Sequence, residues 1–170
     1  MIRKTAILLA FKFILVFNTF GQIKNSAYHT VLKGLYNNTV PVITPARLHQ
    51  KLGSQNNVVL LDTRSKSEYE VSHLKGALLV DYDSFVMEQV RHLPKTTLLV
   101  VYCSVGYRSE KIGEKLKKEG YTNVYNLYGG IFEWVNNGFA VYNAKGSTQR
   151  VHAYSTAWGI WLTKGEKVYE

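Results

Sequence analysis

Apolar residues recur along this chain in two rhythms. Val58-Val59-Leu60-Leu61 and Leu98-Leu99-Val100-Val101 are unbroken aliphatic runs. Strands buried on both faces read this way, which favours a parallel sheet. Shorter strands are predicted over Ala77–Val80 and Val124–Leu127. Between them the rhythm is helical. Ile112 and Leu116 share one face of a helix over Arg108–Glu119, with Lys111, Glu114, Lys115, Lys117 and Lys118 outside and Gly120 as its stop. Thr44-Pro45 reads as a cap with proline at the first helical position, opening a helix through Leu48 and Leu52 to Gly53. Ser65, three residues before Glu68, predicts a capping box on a short helix to Val71. Helices are also predicted over Ala27–Tyr36, Ser84–Leu93 and Ile131–Asn136, the last after a Gly129-Gly130 turn. Strands alternating with helices imply an α/β domain, a doubly wound, mostly parallel sheet with helices on both faces.

Composition adds bounds. The chain has 170 residues, 46% hydrophobic and 19% charged, enough for one packed domain with short extensions. Its formal charge is +9, but the lysines after position 108 are interleaved with glutamates and no nucleic-acid motif is present, so no nucleic-acid partner is expected. Arg3 and Lys4 precede an apolar run, Thr5 to Phe17, followed by Thr19 and Gly21. This pattern predicts a signal peptide over residues 1–21 and a periplasmic or secreted protein, with an N-terminal membrane anchor as the alternative. The run is short for a bilayer, and Lys12 inside it costs about 2.5–3.5 kcal/mol near a membrane centre, so no stable span is expected. Residues 22–42 then form an N-terminal extension, 43–142 the domain, and 143–170 a C-terminal extension expected to pack on it. Trp158, Ile160, Trp161 and Leu162 supply its apolar surface, and His152 and Tyr154 are candidates to approach a site.

Cys103 is the only cysteine. An intrachain disulfide, a multi-cysteine zinc site and a CxxC redox pair are all excluded. No cofactor or metal is expected. Cys103 follows the strongest predicted strand and opens a loop, Ser104-Val105-Gly106-Tyr107-Arg108, that leads into a helix. Ligands bind beyond the carboxyl ends of strands in open α/β sheets. Amides of such a loop form an anion cradle, the helix adds its positive end, Gly106 permits an unusual backbone, and Arg108 brings a cation. A thiolate, or a persulfide built on it, suits that floor. Buried filler is the bland alternative for Cys103. The catalytic reading demands a sulfur that solvent reaches and amides turned toward it.

Three motifs in order resemble the rhodanese homology domain family. Cys103 to Arg108 is similar to its Cys-x-x-Gly-x-Arg loop. Leu61-Asp62-Thr63-Arg64, Glu68-Tyr69 and His73-Leu74-Lys75-Gly76-Ala77 resemble its upstream pattern, and Tyr128-Gly129-Gly130 through Trp134 its ending. The resemblance covers about residues 43–142. It implies a sulfurtransferase with Cys103 as nucleophile and Ser104, Val105, Gly106, Tyr107 and Arg108 as the binding loop. Arg64 joins them as a substrate-binding candidate, balanced against a structural role. Asp62 is expected in a structural ion pair, His73 in packing, and Trp134 in the core. Four residues separate Cys103 from Arg108, where related dual-specificity phosphatases have five, which argues against a phosphatase. Ser104 stands where the family often carries a basic residue. With no second cysteine, sulfur taken from a small anionic donor, thiosulfate-like, must leave to cyanide, a small thiol or a protein thiol. A non-catalytic sulfur carrier or protein-binding module is the alternative.

Overall fold

The structure is a computed structural model that describes residues 26–54 and 57–169. The expected export signal, residues 1–21, lies outside the described residues. Two compact units are distinguished, divided between Leu35 and Tyr36. The first contributes a helix, α1, over residues 26–35.

In the second unit, residues from 36 onward, five strands form one parallel sheet in the order β1-β5-β4-β2-β3. These are β1 (Val42–Ile43), β2 (Val58–Asp62), β3 (Leu78–Leu79), β4 (Leu98–Tyr102) and β5 (Val124–Leu127). The two aliphatic runs are neighbours: β2 and β4 pair in register from Val58↔Leu98 to Asp62↔Tyr102. Their position at the centre explains why neither alternates. Leu99 and Val101 join Leu61, Val124, Ile112 and Leu116 in one core cluster, while Val100 and Tyr102, on the other face of β4, are equally closed to solvent.

The helices connecting the strands are α2 (Pro45–Ser54), α3 (Lys66–Val71), α4 (Tyr107–Lys118) and α5 (Gly130–Asn136). Helix α4 lies along β4 and β5 and buries Ile112 and Leu116, the pair read from the sequence. Ser65 caps α3 in a full capping box with Glu68. The helix expected over Ser84–Leu93 does not form. Only a short 3-10 turn, Met87–Gln89, occupies it. Asp81 takes a positive φ of 40° and its carboxylate accepts from the Asp83 amide, while the Gln89 side chain accepts from the Val86 amide. Local side-chain bonds thus compete with the helix. Val90 is still buried, and Phe85 and Leu93 still pack on the core.

Beyond α5 the chain forms a hairpin of β6 (Val141–Asn143) and β7 (Gly146–Thr148), then β8 (Arg150–His152), a short helix α6 (Thr156–Gly159), and β9 (Glu166–Val168), which pairs parallel with β8. Strand β8 packs against α3. Val151, Ala153 and Leu162 are fully buried, whereas Ile160 is half exposed. Asn136 at the end of α5 ties this segment down: its amide donates to Trp161 O at 2.8 Å, and its Oδ1 accepts from the Thr163 amide at 2.7 Å. Among the described residues, no helix is long and apolar enough to cross a membrane.

Candidate active site

Cys103 follows directly on β4, and the loop Ser104–Gly106 carries the chain into α4. Each loop carbonyl is engaged from outside. Cys103 O and Ser104 O accept from the amides of Ile131 and Phe132, at 2.9 and 3.1 Å, in the first turn of α5. Val105 O accepts from the Tyr36 hydroxyl at 2.6 Å. Gly106 O accepts from Asn126 Nδ2 at 2.9 Å and from the Glu110 amide at 3.2 Å. In a trans peptide the following N–H points opposite its carbonyl. Tethering the four carbonyls therefore turns the amides of residues 104 to 107 away from those partners. The Gly106 N–H reaches Cys103 Sγ at 3.1 Å.

Two glycines make this possible. Gly106 has φ +107°, a region closed to ordinary side chains. Gly130 has φ +58°, and a Cβ there would overlap Cys103 O and the Ser104 carbonyl. The start of α5 can thus sit directly on the loop backbone.

Arg108 does not stand as a free cation. Its Nη1 and Nη2 donate to the two carboxylate oxygens of Glu68, both at 2.8 Å, and Nη2 also reaches Ser104 Oγ at 3.1 Å. Ser104 Oγ donates to Glu68 Oε1 at 2.9 Å. Burial works to raise the Glu68 carboxyl, but the hydrogen bonds and charge of Arg108, the charge of Arg64 and the Ser65 amide together pull it down to about 2. Burial likewise works against the Arg108 cation. The hydrogen bonds and charge of Glu68 outweigh it and hold the guanidinium above its ordinary value. The unmatched positive charge expected from the sequence is therefore corrected: Glu68 neutralises it, and the amides and the α4 N-terminus carry the remaining positive potential of the loop.

Arg64 is turned inward. It is 0% exposed and forked onto Asp62, Nε to Oδ1 at 2.9 Å and Nη2 to Oδ2 at 2.6 Å, with a further bond to Ser72 O. In this closed state its partners are Asp62 and Ser72, the structural one of the two roles weighed for it. Burial opposes its charge, and Asp62 restores it above the ordinary arginine value.

Of the remaining loop residues, Ser104 and Val105 are buried and Tyr107 is half exposed at the rim. Cys103 itself is 1% exposed, so of the two demands set by the catalytic reading the inward amide is met, by Gly106, and the solvent-reached sulfur is not: the loop is closed over it. The C-terminal segment contributes to that rim. The Tyr154 ring lies 5.0 Å from the Arg108 guanidinium, and Tyr154 holds a positive φ of 64°. His152 is buried, and its Nδ1 accepts from the Tyr154 amide. A surface cavity of about 210 Å³ beside Arg47, Lys51 and Tyr125 adjoins Leu98, at the opposite end of β4 from Cys103.

Three participants escape a sequence reading, at least in the role they take. Glu68 is visible as a capping residue and as part of the upstream motif, but not as the partner of Arg108. Asn126, fully buried on β5, is signalled by one polar position within an apolar strand; Ser109 donates to its Oδ1 at 2.8 Å, which directs Nδ2 to Gly106 O. Tyr36 lies outside the motifs; Tyr154 does too, but the sequence offered it as a candidate, and it reaches Arg108.

The fold and site define a parallel α/β domain with one cysteine at the carboxyl edge of a central strand and four residues between it and an arginine. A sequence profile of the family described as "Rhodanese-like domain" matches residues 44–137. The chain belongs to that family. It is 33% identical over 99 residues to the tRNA uridine(34) hydroxylase of Chlamydia felis, covering 54% of this chain and 30% of that protein. It is also 33% identical over 93 residues to the probable adenylyltransferase/sulfurtransferase MoeZ of Mycobacterium tuberculosis, covering 54% and 24%. The chain thus spans less than a third of these relatives. Among solved structures, the rhodanese-like domain of an Anabaena protein superposes with a TM-score of 0.57 at 23% identity, over 61% of this chain and 79% of that one. A Bacillus halodurans protein gives 0.57 at 22% identity, over 72% and 88%. These show the fold.

Proposed function

We propose that the protein is a sulfurtransferase that carries sulfane sulfur as a persulfide on Cys103. The observation that carries this reading is the Gly106 amide aimed at Cys103 Sγ, within a loop whose carbonyls are all bound elsewhere. The Cys103 thiolate attacks the outer sulfur of a thiosulfate-like donor. The donor S–S bond breaks, sulfite leaves with its electron pair, and a Cys103 persulfide anion remains among the loop amides. An acceptor thiolate, or cyanide, then attacks the terminal sulfur. The new S–S or C–S bond forms as the persulfide bond breaks, and the electron pair returns to Cys103 as thiolate. Pairing of Arg108 with Glu68, together with Ser104 in place of a basic residue, favours donors that need little net positive charge. Because Cys103 is enclosed, this reading requires the loop to open before a donor can reach the sulfur. Export to the periplasm or beyond, supported by the pattern of residues 1–21, would make the acceptor a small thiol or protein thiol of that compartment.

A second reading is favoured by one observation, the 1% exposure of Cys103. A sulfur so enclosed suits a carrier or binding module that opens only against a partner protein.

Mass spectrometry separates the two. Incubation with thiosulfate, mercaptopyruvate or polysulfide adds one sulfur atom to the native chain, cyanide removes it as thiocyanate, and Cys103→Ser does neither. A native chain left unmodified by every donor refutes the enzyme reading. Slow unloading to small acceptors with fast transfer to a co-purifying protein supports the carrier.

A further inference from the structure

Tyr36 lies outside residues 44–137 and outside every motif that marks the family. It is 7% exposed, and its hydroxyl makes two bonds: it donates to Val105 O at 2.6 Å and accepts from the Gly129 amide at 2.9 Å. Chemistry fixes the direction of both. An amide N–H can only donate and a carbonyl can only accept, so the one phenolic proton must go to Val105. Burial pushes the Tyr36 hydroxyl far above its ordinary value, which keeps that proton in place.

Val105 C=O and Gly106 N–H belong to the same planar peptide and point in opposite directions. Drawing the carbonyl toward Tyr36 aims the N–H at Cys103 Sγ. A hydrogen bond accepted by a carbonyl also polarises its peptide and strengthens the N–H as a donor. The fit leaves no slack, because any Cβ at residue 106 would collide with the Tyr36 hydroxyl. Gly129, the other partner, precedes α5, whose first amides hold Cys103 O and Ser104 O. One hydroxyl therefore links the loop to the turn that supports it.

We infer that Tyr36 is a positioning residue of the sulfur site: its hydroxyl holds the Val105–Gly106 peptide from behind and directs the Gly106 amide onto the sulfur borne by Cys103. The kinetic consequence rests on the sulfur-transfer reading; the geometric one does not.

Tyr36→Phe tests it, since the variant keeps the ring and its edge-on contact with Tyr128 (5.9 Å between centroids) and removes only the hydroxyl. In the full chain, the Gly106 amide proton is followed by NMR. It shifts toward the position of an unbonded amide and exchanges with solvent about ten-fold faster. Single-turnover sulfur loading from thiosulfate slows about ten-fold at saturating donor, with the half-saturating concentration little changed. Tyr121→Phe is the matched control. It also loses one buried hydroxyl-to-carbonyl bond, to Val90 O, and it leaves the Gly106 resonance and the loading rate unchanged. An unmoved Gly106 resonance in Tyr36→Phe overturns the inference, as does a loading defect confined to donor affinity or a variant that cannot fold. A wild-type chain that takes up no sulfur sinks the proposed function instead, while the amide resonance still decides the role of Tyr36.

Discussion

The Glu68 carboxylate and the Arg108 guanidinium meet in a two-bond fork, 2.8 Å on each arm, so the first turn of α4 is bolted to the capped end of α3. The same carboxylate accepts from the Ser65 amide and from Ser104 Oγ. A single side chain therefore closes one helix, neutralises the cation of the loop and orients its second residue. Charge-assisted bonds of this kind, mostly withdrawn from water, outweigh neutral ones.

Glu68→Gln separates these roles. Arg108 keeps its position but loses its counter-charge, and stability falls by about 3 kcal/mol. The freed cation raises affinity for anionic donors, so the half-saturating thiosulfate concentration drops while the melting temperature falls. A rise in that concentration would show that the pair aids donor binding.

Acid exposes the same pair. Glu68 is held at about 2, below the ordinary carboxyl value of 4.5, so the unfolded chain takes up this proton first. The stabilisation is complete above pH 4.5 and is lost as the pH falls through about 2, amounting to about 3 kcal/mol. Denaturant midpoints of wild type decline over that interval, and the decline is shallower in Glu68→Gln.

Arg64→Lys destabilises without touching the chemistry. A lysine cannot reproduce the fork onto Asp62 together with the bond to Ser72 O, and about 3 kcal/mol is lost. The folded fraction takes up sulfur at the wild-type rate and with wild-type donor affinity. A selective loss of donor affinity would return Arg64 to the substrate-binding set.

Gly130→Ala acts on Cys103 from behind. The added methyl overlaps the carbonyl of Cys103 in a backbone with φ +58°, so the turn before α5 must back away. Stability drops by about 3 kcal/mol, and sulfur loading by the folded fraction drops as well, because the carbonyl tethers of the loop loosen. Circular dichroism with mass-detected loading measures both.

His152 gives the segment beside the loop a pH response. Burial, followed by the nearby cations Arg64 and Arg108, holds it below its ordinary 6.5 despite the pull of Glu68. The unfolded chain protonates first, so the contribution is complete above pH 6.5 and disappears as the pH falls through the lower folded value. The protection factor of the Ala153 amide, which donates to Val168 O at 2.7 Å, falls over that range in wild type and not in His152→Gln.

Local regularity made much of the fold legible. Val58–Leu61 and Leu98–Val101 must be buried on both faces because they offer no polar face, and two such strands lie side by side at the centre of the sheet. Ile112 and Leu116, one turn apart, point at that sheet, and Ser65 caps α3 because its hydroxyl and Glu68 satisfy amides three residues apart. Ser84–Leu93 misled because apolar spacing says which residues face a core but not whether side chains such as Asp81 and Gln89 capture the backbone first.

The order of residues alone also determined where chemistry had to sit: one cysteine, after the most apolar strand, before a glycine and an arginine. It could not decide what surrounds that cysteine, because the deciding contacts span long stretches of chain. Glu68 reaches Arg108 across 40 residues, Asn126 reaches Gly106 across 20, and Tyr36 reaches Val105 across 69. Arg64 and Arg108 look alike as loop arginines; only the tertiary structure buries one wholly against Asp62 and leaves the other at the rim against Glu68. Periodicity and capping act within a few residues, so a sequence displays them. The partner of a charge and the aim of an amide depend on which elements pack together, and that is settled only when the sheet forms.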